Sequence, residues 1–473
     1  MTRGLRPHES GASVTALVPR SAGPGRGAPD VRVPPHHRQT LASGARLVIV
    51  PRHDVPLVAF CAILRGGGRS DPAGHAGVSA LYAGLLGKGG GHLDAFEFAD
   101  AVEEAGGSFT AFATADHIVV SGQFLAQHQE RMLELLAGAL LAPRAPREEL
   151  EKVRARQIEL LKAARDSDPG ELLSAYGRAF LFRRHPYGRP VMGSERSLAA
   201  LGPDDVERYR RSHFGGDRLA LIFAGDVDEQ WLTSAAAKAF GAVRPAGMPL
   251  PCLPSPPRLR RRRVLLVDRP QATQSYFWIG GPGVDKRYER RAALDLVNIL
   301  LGGRFTSLLN GALRIRSGLS YEAASSFTRG AVSGEFAIRA LAETRRTVQA
   351  VDLALGTLTR LASRGVSADM LESARAYALG QYPLSLETAG DWAFAFGELE
   401  AYGLPPDYIE GYGPALRGVT LEDTRRVIAE AFPAPDRVAL VVVGDAQALR
   451  DPLARYGPVL ETSLSRPGFS PPH

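Results

Sequence analysis

The chain carries one design twice, and that duplication limits its fold more than any other feature. Near the start of the first copy, Arg46-Leu-Val-Ile-Val-Pro51 is followed by the apolar run 56–64. Near the start of the second, Arg263-Val-Leu-Leu-Val-Asp268 is followed by Gln274-Ser-Tyr-Phe-Trp-Ile279. The copies also end alike, at Arg218-Leu-Ala-Leu-Ile-Phe-Ala-Gly-Asp226 and Arg437-Val-Ala-Leu-Val-Val-Val-Gly-Asp445. Starts and ends match at nearly the same offset, as duplication and fusion would leave them. Apolar, β-branched runs at 57–64, 118–122, 219–224, 264–267 and 438–443 predict strands. Apolar stripes at helical spacing predict helices over 129–141, 147–165 and 347–362. Mixed strands and helices with hairpin-like links point to an α+β fold of two homologous two-layer α/β sandwich domains in tandem. The proline-rich strip PAGMPLPCLPSPP reads as a linker. The expected organisation is a disordered arm (1–38), a first domain (39–242), the linker (243–262), a second domain (263–460) and a disordered tail (461–473).

Composition excludes several classes. Of 473 residues, 45% are hydrophobic and 23% charged, an ordinary globular balance. No apolar run reaches the length of about 18 residues that marks a membrane span. The first forty residues are rich in Gly, Pro, Ser and Arg and lack the apolar segment of a secretory signal. They are Arg-rich enough for an organellar presequence, but their prolines argue against a continuous amphipathic helix. The expectation is a cytoplasmic protein, with the periplasm left open if the start site is misassigned. Cys61 and Cys252 have no C-x-x-C neighbour and read as reduced thiols. The formal charge of +7 comes largely from the arm and from Arg258, Arg260, Arg261, Arg262 and Arg263. No aromatics interleave with that run and no nucleic-acid motif accompanies it, so it reads as a solvated tether.

Several segments, taken in order on a duplicated chain, resemble the insulinase and mitochondrial processing peptidase family of pitrilysin-type inverzincins, in its bacterial two-domain form. They are Gly67-Gly-Arg-Ser-Asp-Pro-Ala-Gly74 followed by Gly77, the stretch 103–117 with its glycine pair, His185-Pro-Tyr-Gly-Arg-Pro-Val-Met-Gly193, and Tyr209-Arg-Arg-Ser-His-Phe214. In the second half they are Leu300-Leu-Gly-Gly-Arg-Phe-Thr-Ser-Leu308 and Leu313-Arg-Ile-Arg-Ser-Gly-Leu-Ser-Tyr321. The resemblance covers residues 39–460 and implies the architecture of a zinc metallopeptidase.

It breaks at the metal. Where the family carries H-x-x-E-H, this chain has Ala80, Leu81, Tyr82, Ala83 and Gly84. The motif needs two imidazoles to bind zinc and a carboxylate to take a proton from the bound water; Ala80, Ala83 and Gly84 offer neither. The family's third ligand is a Glu near the start of a following helix, where Glu151 lies beside Glu148 and Glu149. Without the histidines, Glu151 reads as a partner of the helix dipole. No zinc is expected on this chain.

The resemblance implies that the other half of the active site survives. The family places an Arg and a Tyr seven residues later across the cleft from the zinc, and Arg314 and Tyr321 match that spacing. A guanidinium and a phenol can donate to the oxygen that gains charge when a peptide carbonyl is attacked. Arg316, two residues on, is the alternative if the alignment slips. Gly302 and Gly303 match a loop that touches substrate peptide in the family's non-zinc subunit; the alternative is a helix start needing unusual backbone angles. No Walker A lysine follows them. Phe109, Thr110 and Ala111 match an edge strand that receives substrate as an added strand, with Thr110 where the family usually has Asn.

The expected function is therefore a zinc-lacking subunit of a heterodimeric metallopeptidase, inactive alone. A zinc-bearing H-x-x-E-H homologue would be its partner and unfolded or short peptides its substrates. The alternatives are a structural subunit like the core proteins of respiratory complexes, and a stand-alone peptide-binding module. An independent enzyme ranks last, since no G-x-S-x-G, Cys–His grouping or suggestive carboxylate pair is present.

Overall fold

The computed structural model describes residues 30–144 and 146–469. The two copies form two six-stranded sheets. The first contains β1 (His37–Thr40), β2 (Arg46–Pro51), β3 (Leu57–Arg65), β4 (Ser108–Ala113), β5 (His117–Leu125) and β6 (Leu219–Gly225), in the order β1-β2-β6-β3-β5-β4. The second contains β7 (Arg263–Asp268), β8 (Gln274–Gly283), β9 (Ala323–Arg329), β10 (Gly334–Glu343), β11 (Ala439–Gly444) and β12 (Val459–Ser463), in the order β12-β7-β11-β8-β10-β9. Five strands correspond one to one, including the parallel pairs β2–β6 and β7–β11. The sixth position is filled differently: β1 precedes β2 and runs antiparallel to it, whereas β12 comes from the chain's end and runs parallel to β7.

The helices of the first half begin with α1 (Val78–Leu85), α2 (Ala95–Glu104), α3 (Gln129–Leu141), α4 (Arg147–Asp166) and α5 (Gly170–Phe182). The predicted helices over 129–141 and 147–165 are α3 and α4, and that over 347–362 is Thr347–Arg364. The central strands read as unbroken apolar runs because both of their faces are covered. In β6, Leu221 and Phe223 join the core formed with the first half's own helices. Ala220, Ile222 and Ala224 instead meet Trp392, Phe396 and Leu399 of the helix Ala389–Tyr402, which belongs to the second half. The reverse exchange covers the second sheet. Val264, Leu266, Leu440 and Val442 face the second half's own helices, while Leu265, Val267, Trp278 and Val441 meet Leu172, Leu173, Tyr176 and Phe180 of α5. Each large side chain buried this way contributes about 1.5–3 kcal/mol. Both exchanged helices carry a glycine at the closest approach. A Cβ on Gly177 would lie 2.6 Å from the Trp278 indole, and one on Gly397 would lie 3.0 Å from Cys61 Sγ.

The described residues nearest each end of the chain, 30–38 and 461–469, are more ordered than their composition suggests. Of the expected arm, residues 1–29 lie outside the described residues. From Asp30 onward Val31 and Val33 pack beside the exchanged helix Ala389–Tyr402, the Val33 amide donates to Glu410 (2.7 Å), and Asp30 pairs with Arg417. His36, within the expected disordered arm, lies 4.8 Å from the Phe396 ring, and His37 opens β1. Of the expected disordered tail (461–473), residues 461–469 are likewise ordered, and 470–473 lie outside the described residues. Glu461, Thr462 and Ser463 complete β12, Leu464 and Phe469 are buried, and the Phe469 ring meets Tyr176 edge-on at 4.9 Å. Few apolar residues suffice because each docks on a preformed surface.

One helical stretch among the described residues, Arg291–Arg316, is long and apolar enough to cross a membrane by length and composition. Of its apolar side chains, Leu294, Leu296, Val297, Leu301 and Leu313 are fully buried in the second core, whereas Phe305 and Ile315 are exposed.

Candidate functional site

The helix that would carry a metal motif is α1. Asp71 starts it: its carboxylate accepts the amides of Gly77 (2.7 Å) and Ser79 (3.1 Å), satisfying donors that an open helix end leaves free. Burial pushes the Asp71 carboxyl up to about 7, against the pull of those amides. Ala80, Ala83, Gly84 and Gly87 share one face of the helix by their spacing. That face is closed by its neighbours. Ala83 has no exposed surface and belongs to the first core. A Cβ on Gly84 would lie 2.9 Å from Val153 Cγ1 of α4, and one on Gly87 would touch Phe109 at 3.7 Å. On α4, Gln157 is buried and donates to the Met192 carbonyl. Glu151 points elsewhere, pairing in solvent with Arg147 (3.0 Å). The residues present do not fit a zinc ion: the Ala80–Ala83–Gly84 face of α1 offers no imidazole or carboxylate, and the α4 side chain nearest Gly84 is the isopropyl group of Val153. Among the described residues no cluster of three or more His, Cys, Asp or Glu is placed to hold a metal.

Purified chain is therefore expected to hold far less than one zinc per molecule by elemental analysis; a stoichiometric, tightly held zinc would overturn this reading. Restoring Ala80→His, Ala83→Glu and Gly84→His together should not create a zinc site. The new imidazole at 84 would run into Val153, and the carboxylate at 83 would enter an apolar core without a partner.

β4 is an edge strand, paired only with β5. Phe109 and Ala111 face inward against the first core, with Phe109 ringed by Phe98 (5.1 Å) and Phe60 (5.6 Å). Thr110 is on the other face, its hydroxyl 3.1 Å from that of Ser121. What this edge presents to a ligand is its backbone and the outward residues Thr110 and Phe112, not the side chains of Phe109 and Ala111.

In the second half, Gly302 and Gly303 close a helix; they do not open one. Arg291–Asn298 runs into a wider π-helical turn, Ile299–Gly303, and stops there. Gly302 is glycine because β9 passes against it: a Cβ would lie 2.3 Å from the Ser325 amide nitrogen. Gly303 is exposed, with the nearest atom to such a Cβ at 3.2 Å. Arg314 lies in the turn Gly311–Arg316, and Tyr321 lies in the loop leading to β9. That loop is pinned from within. The amides of Leu319 and Ser320 donate to the Leu313 carbonyl (2.8 and 3.1 Å), and Asn310 Oδ1 accepts the Ala323 amide (3.1 Å). The fixed backbone leaves Tyr321 78% exposed and Arg314 exposed with its guanidinium 4.8 Å over the Phe305 ring. Neither side chain has a hydrogen bond or ion pair among the described residues. Arg316 is also exposed, alongside Gly311. Arg314 and Phe305 are in contact, and Gly303 and Tyr321 lie at either end of the same helix–loop–strand connection. Among the described residues no hydrogen bond, ion pair or ring contact joins them to β4.

Sequence reading missed Asp116, in the β4–β5 turn. It is 5% exposed and accepts from Arg69 Nη1 (3.1 Å), the Tyr187 hydroxyl (2.8 Å) and the Ala331 amide (2.9 Å), with the Tyr402 hydroxyl at 3.4 Å. A turn carboxylate looks solvated in a sequence; nothing local says that four segments converge on it.

Comparison with known proteins follows this geometry. The family model for insulinase (peptidase family M16) matches residues 51–195, and that for the peptidase M16 inactive domain matches residues 200–377. The chain is 26% identical over 368 residues to an uncharacterized zinc protease of Mycobacterium leprae, covering 77% of this chain and 82% of the relative. It is 23% identical over 359 residues to a non-peptidase homolog of Helicobacter pylori, covering 74% and 81%. The crystal structure of a peptidase M16 inactive domain from Pseudomonas fluorescens superposes with a TM-score of 0.80 at 21% identity, over 87% of this chain and 98% of that one. A protease from Helicobacter pylori superposes with a TM-score of 0.80 at 19% identity, over 87% and 99%. At these identities the two solved structures share the fold.

Proposed function

This chain belongs to the M16 (insulinase) peptidase family as a catalytically incomplete member, and we propose that it is the zinc-lacking subunit of a two-subunit metallopeptidase. The observation that carries the proposal is an asymmetry. The metal half has been closed over by Val153 and the core around Ala83. Arg314, in the turn Gly311–Arg316, and Tyr321, on the pinned loop that follows, instead stand exposed, with no hydrogen bond or ion pair among the described residues. Drift in a protein without a peptidase role would not favour one half over the other.

In this reading the metal and its water come from a partner with H-x-x-E-H intact. Arg314 and Tyr321 donate to the peptide oxygen that gains charge during attack, or to the neighbouring backbone. The open backbone of β4 can hold an unfolded or short peptide by strand addition. The non-peptidase name of the Helicobacter pylori relative agrees with this role. The zinc-protease name of the mycobacterial relative is not carried over, since the ligands are missing here. The test mixes this chain with a zinc-bearing homologue of its own organism, follows association by size-exclusion chromatography, and assays unfolded peptides. Cleavage is expected only from the mixture. Cleavage by the isolated chain, or no complex and no gain on mixing, would overturn the proposal.

A further inference from the structure

The arginine-rich strip between the halves, which reads in sequence as a solvated tether, is docked. Leu259 packs against the core that α5 forms with the second sheet. Arg262 Nε donates to the Pro435 carbonyl (2.8 Å). The Arg263 guanidinium lies 4.2 Å from the centre of the Phe180 ring, and its Nη1 donates to the Phe180 carbonyl (3.2 Å). These contacts fix the backbone, while Arg258, Arg260 and Arg261 stay exposed with no hydrogen bond or ion pair among the described residues. Held there, Arg258 lines a cavity of ≈ 440 Å³ against the second half, together with Arg425 and Arg437. Those two are exposed and have only loose counter-ions, Glu422 at 3.9 Å and Asp436 at 3.8 Å. Glu430 is the one carboxylate in the lining, and it already accepts from Arg290 Nη1 (3.0 Å) and the Tyr288 hydroxyl (3.1 Å). Between the arginines the lining is apolar, with Leu259, Pro282, Ile428, Phe432 and Pro433. Same-sign charges over low-dielectric walls focus a field that draws anions, and a fixed backbone lowers the ordering cost of binding one.

The matching occupant offers carboxylates to the arginines and an apolar group to the walls. We propose that this cavity docks an acidic peptide segment of another protein. One apolar side chain enters the cavity, and the carboxylates beside it meet Arg258, Arg425 and Arg437, with Arg260 and Arg261 extending the contact along the peptide. Nucleic acid fits less well, because single strands bind by stacking bases on open rings, and the Phe432 ring is only 7% exposed. An anionic bilayer also fits less well. Membrane-surface binding needs apolar side chains that project into lipid, and none of the large exposed apolar side chains among the described residues lines this cavity.

The test is fluorescence anisotropy of the full chain with a short labelled peptide, one central phenylalanine flanked by glutamates. Saturable binding with a Kd of about 10–100 μM is expected at low salt, weakening several-fold as salt rises from about 0.05 to 0.5 M. Alanine in place of the phenylalanine should weaken binding about tenfold, and lysines in place of the glutamates should abolish it. Combined Arg258→Glu, Arg425→Glu and Arg437→Glu should weaken binding by about tenfold or more. These side chains are exposed, so the fold should survive, and circular dichroism checks it. Combined Arg131→Glu, Arg147→Glu and Arg208→Glu changes net charge equally, on α3, α4 and the helix Pro203–His213 of the first half, and should leave binding nearly unchanged. No saturable binding up to about 1 mM would overturn the proposal. Equal losses in the two triple variants would overturn it too, since diffuse charge would then suffice, as would equal binding of the alanine and phenylalanine peptides. Tighter binding of single-stranded RNA or of phosphatidylglycerol vesicles would assign the arginines to nucleic acid or lipid instead. None of these outcomes depends on a zinc-bearing partner.

Discussion

Replacing Arg314 with alanine, in a complex of this chain with a zinc-bearing homologue, is expected to lower peptide cleavage about 10²-fold, the usual loss when one donor to a developing oxyanion is removed. Tyr321→Phe should lower it strongly but less, because the arginine change removes a full charge as well as donors. Both losses should fall on cleavage and not on association. The side chains are exposed and make no hydrogen bond or ion pair among the described residues. The contact of Arg314 with Phe305, itself 58% exposed, is worth only about 0.5–1 kcal/mol. Arg316→Ala is the internal control and should be mild. Steady-state cleavage with size-exclusion analysis of each complex separates these effects. Full activity in both the Arg314→Ala and Tyr321→Phe complexes would leave a structural subunit as the better account.

Asp116→Ala is expected to destabilise the fold by about 3–5 kcal/mol, the range seen when one member of a buried ion pair is removed. The reason lies in what would be left behind. The Arg69 side chain is 10% exposed and would keep its charge without a counter-ion. The Tyr187 hydroxyl would lose the carboxylate it now donates to, and so would the Ala331 amide. Arg69 and Tyr187 belong to the first half of the sequence, Ala331 and Tyr402 to the second, so the loss also loosens the junction between them. Asp116→Asn, which keeps the shape and an acceptor, should cost less, and Tyr187→Phe less again. Urea unfolding with unchanged denaturant dependence would report the difference. A loss below about 1 kcal/mol for Asp116→Ala, the size of one ordinary hydrogen bond, would show that water replaces the carboxylate freely and that it does not hold the halves together.

How much of this was legible beforehand divides along a physical line. By itself the sequence determined whatever depends on local periodicity and residue chemistry. β-Branched runs placed β3, β6 and β11, because alternate side chains must face opposite sides of a sheet. Stripes at helical spacing placed α3, α4 and Thr347–Arg364. The repeat of whole segments announced two copies of one sheet, and Ala80, Ala83 and Gly84 announced the missing ligands. The same strings were silent about partners distant in the chain. An apolar run such as Leu219–Gly225 says that both faces are covered, but not that one cover is a helix more than 160 residues away, Ala389–Tyr402. Nothing local to Gly177, Gly302 and Gly397 said that Trp278, Ser325 and Cys61 would lie against them. Val153 looked like an ordinary stripe residue until it lay over Gly84. The tail looked solvated until Phe469 met Tyr176. Asp116 looked like an ordinary turn carboxylate until Arg69, Tyr187, Ala331 and Tyr402 met on it. Tertiary structure decided these matters because burial and hydrogen bonding depend on which surfaces meet, and that pairing is settled by the whole chain at once.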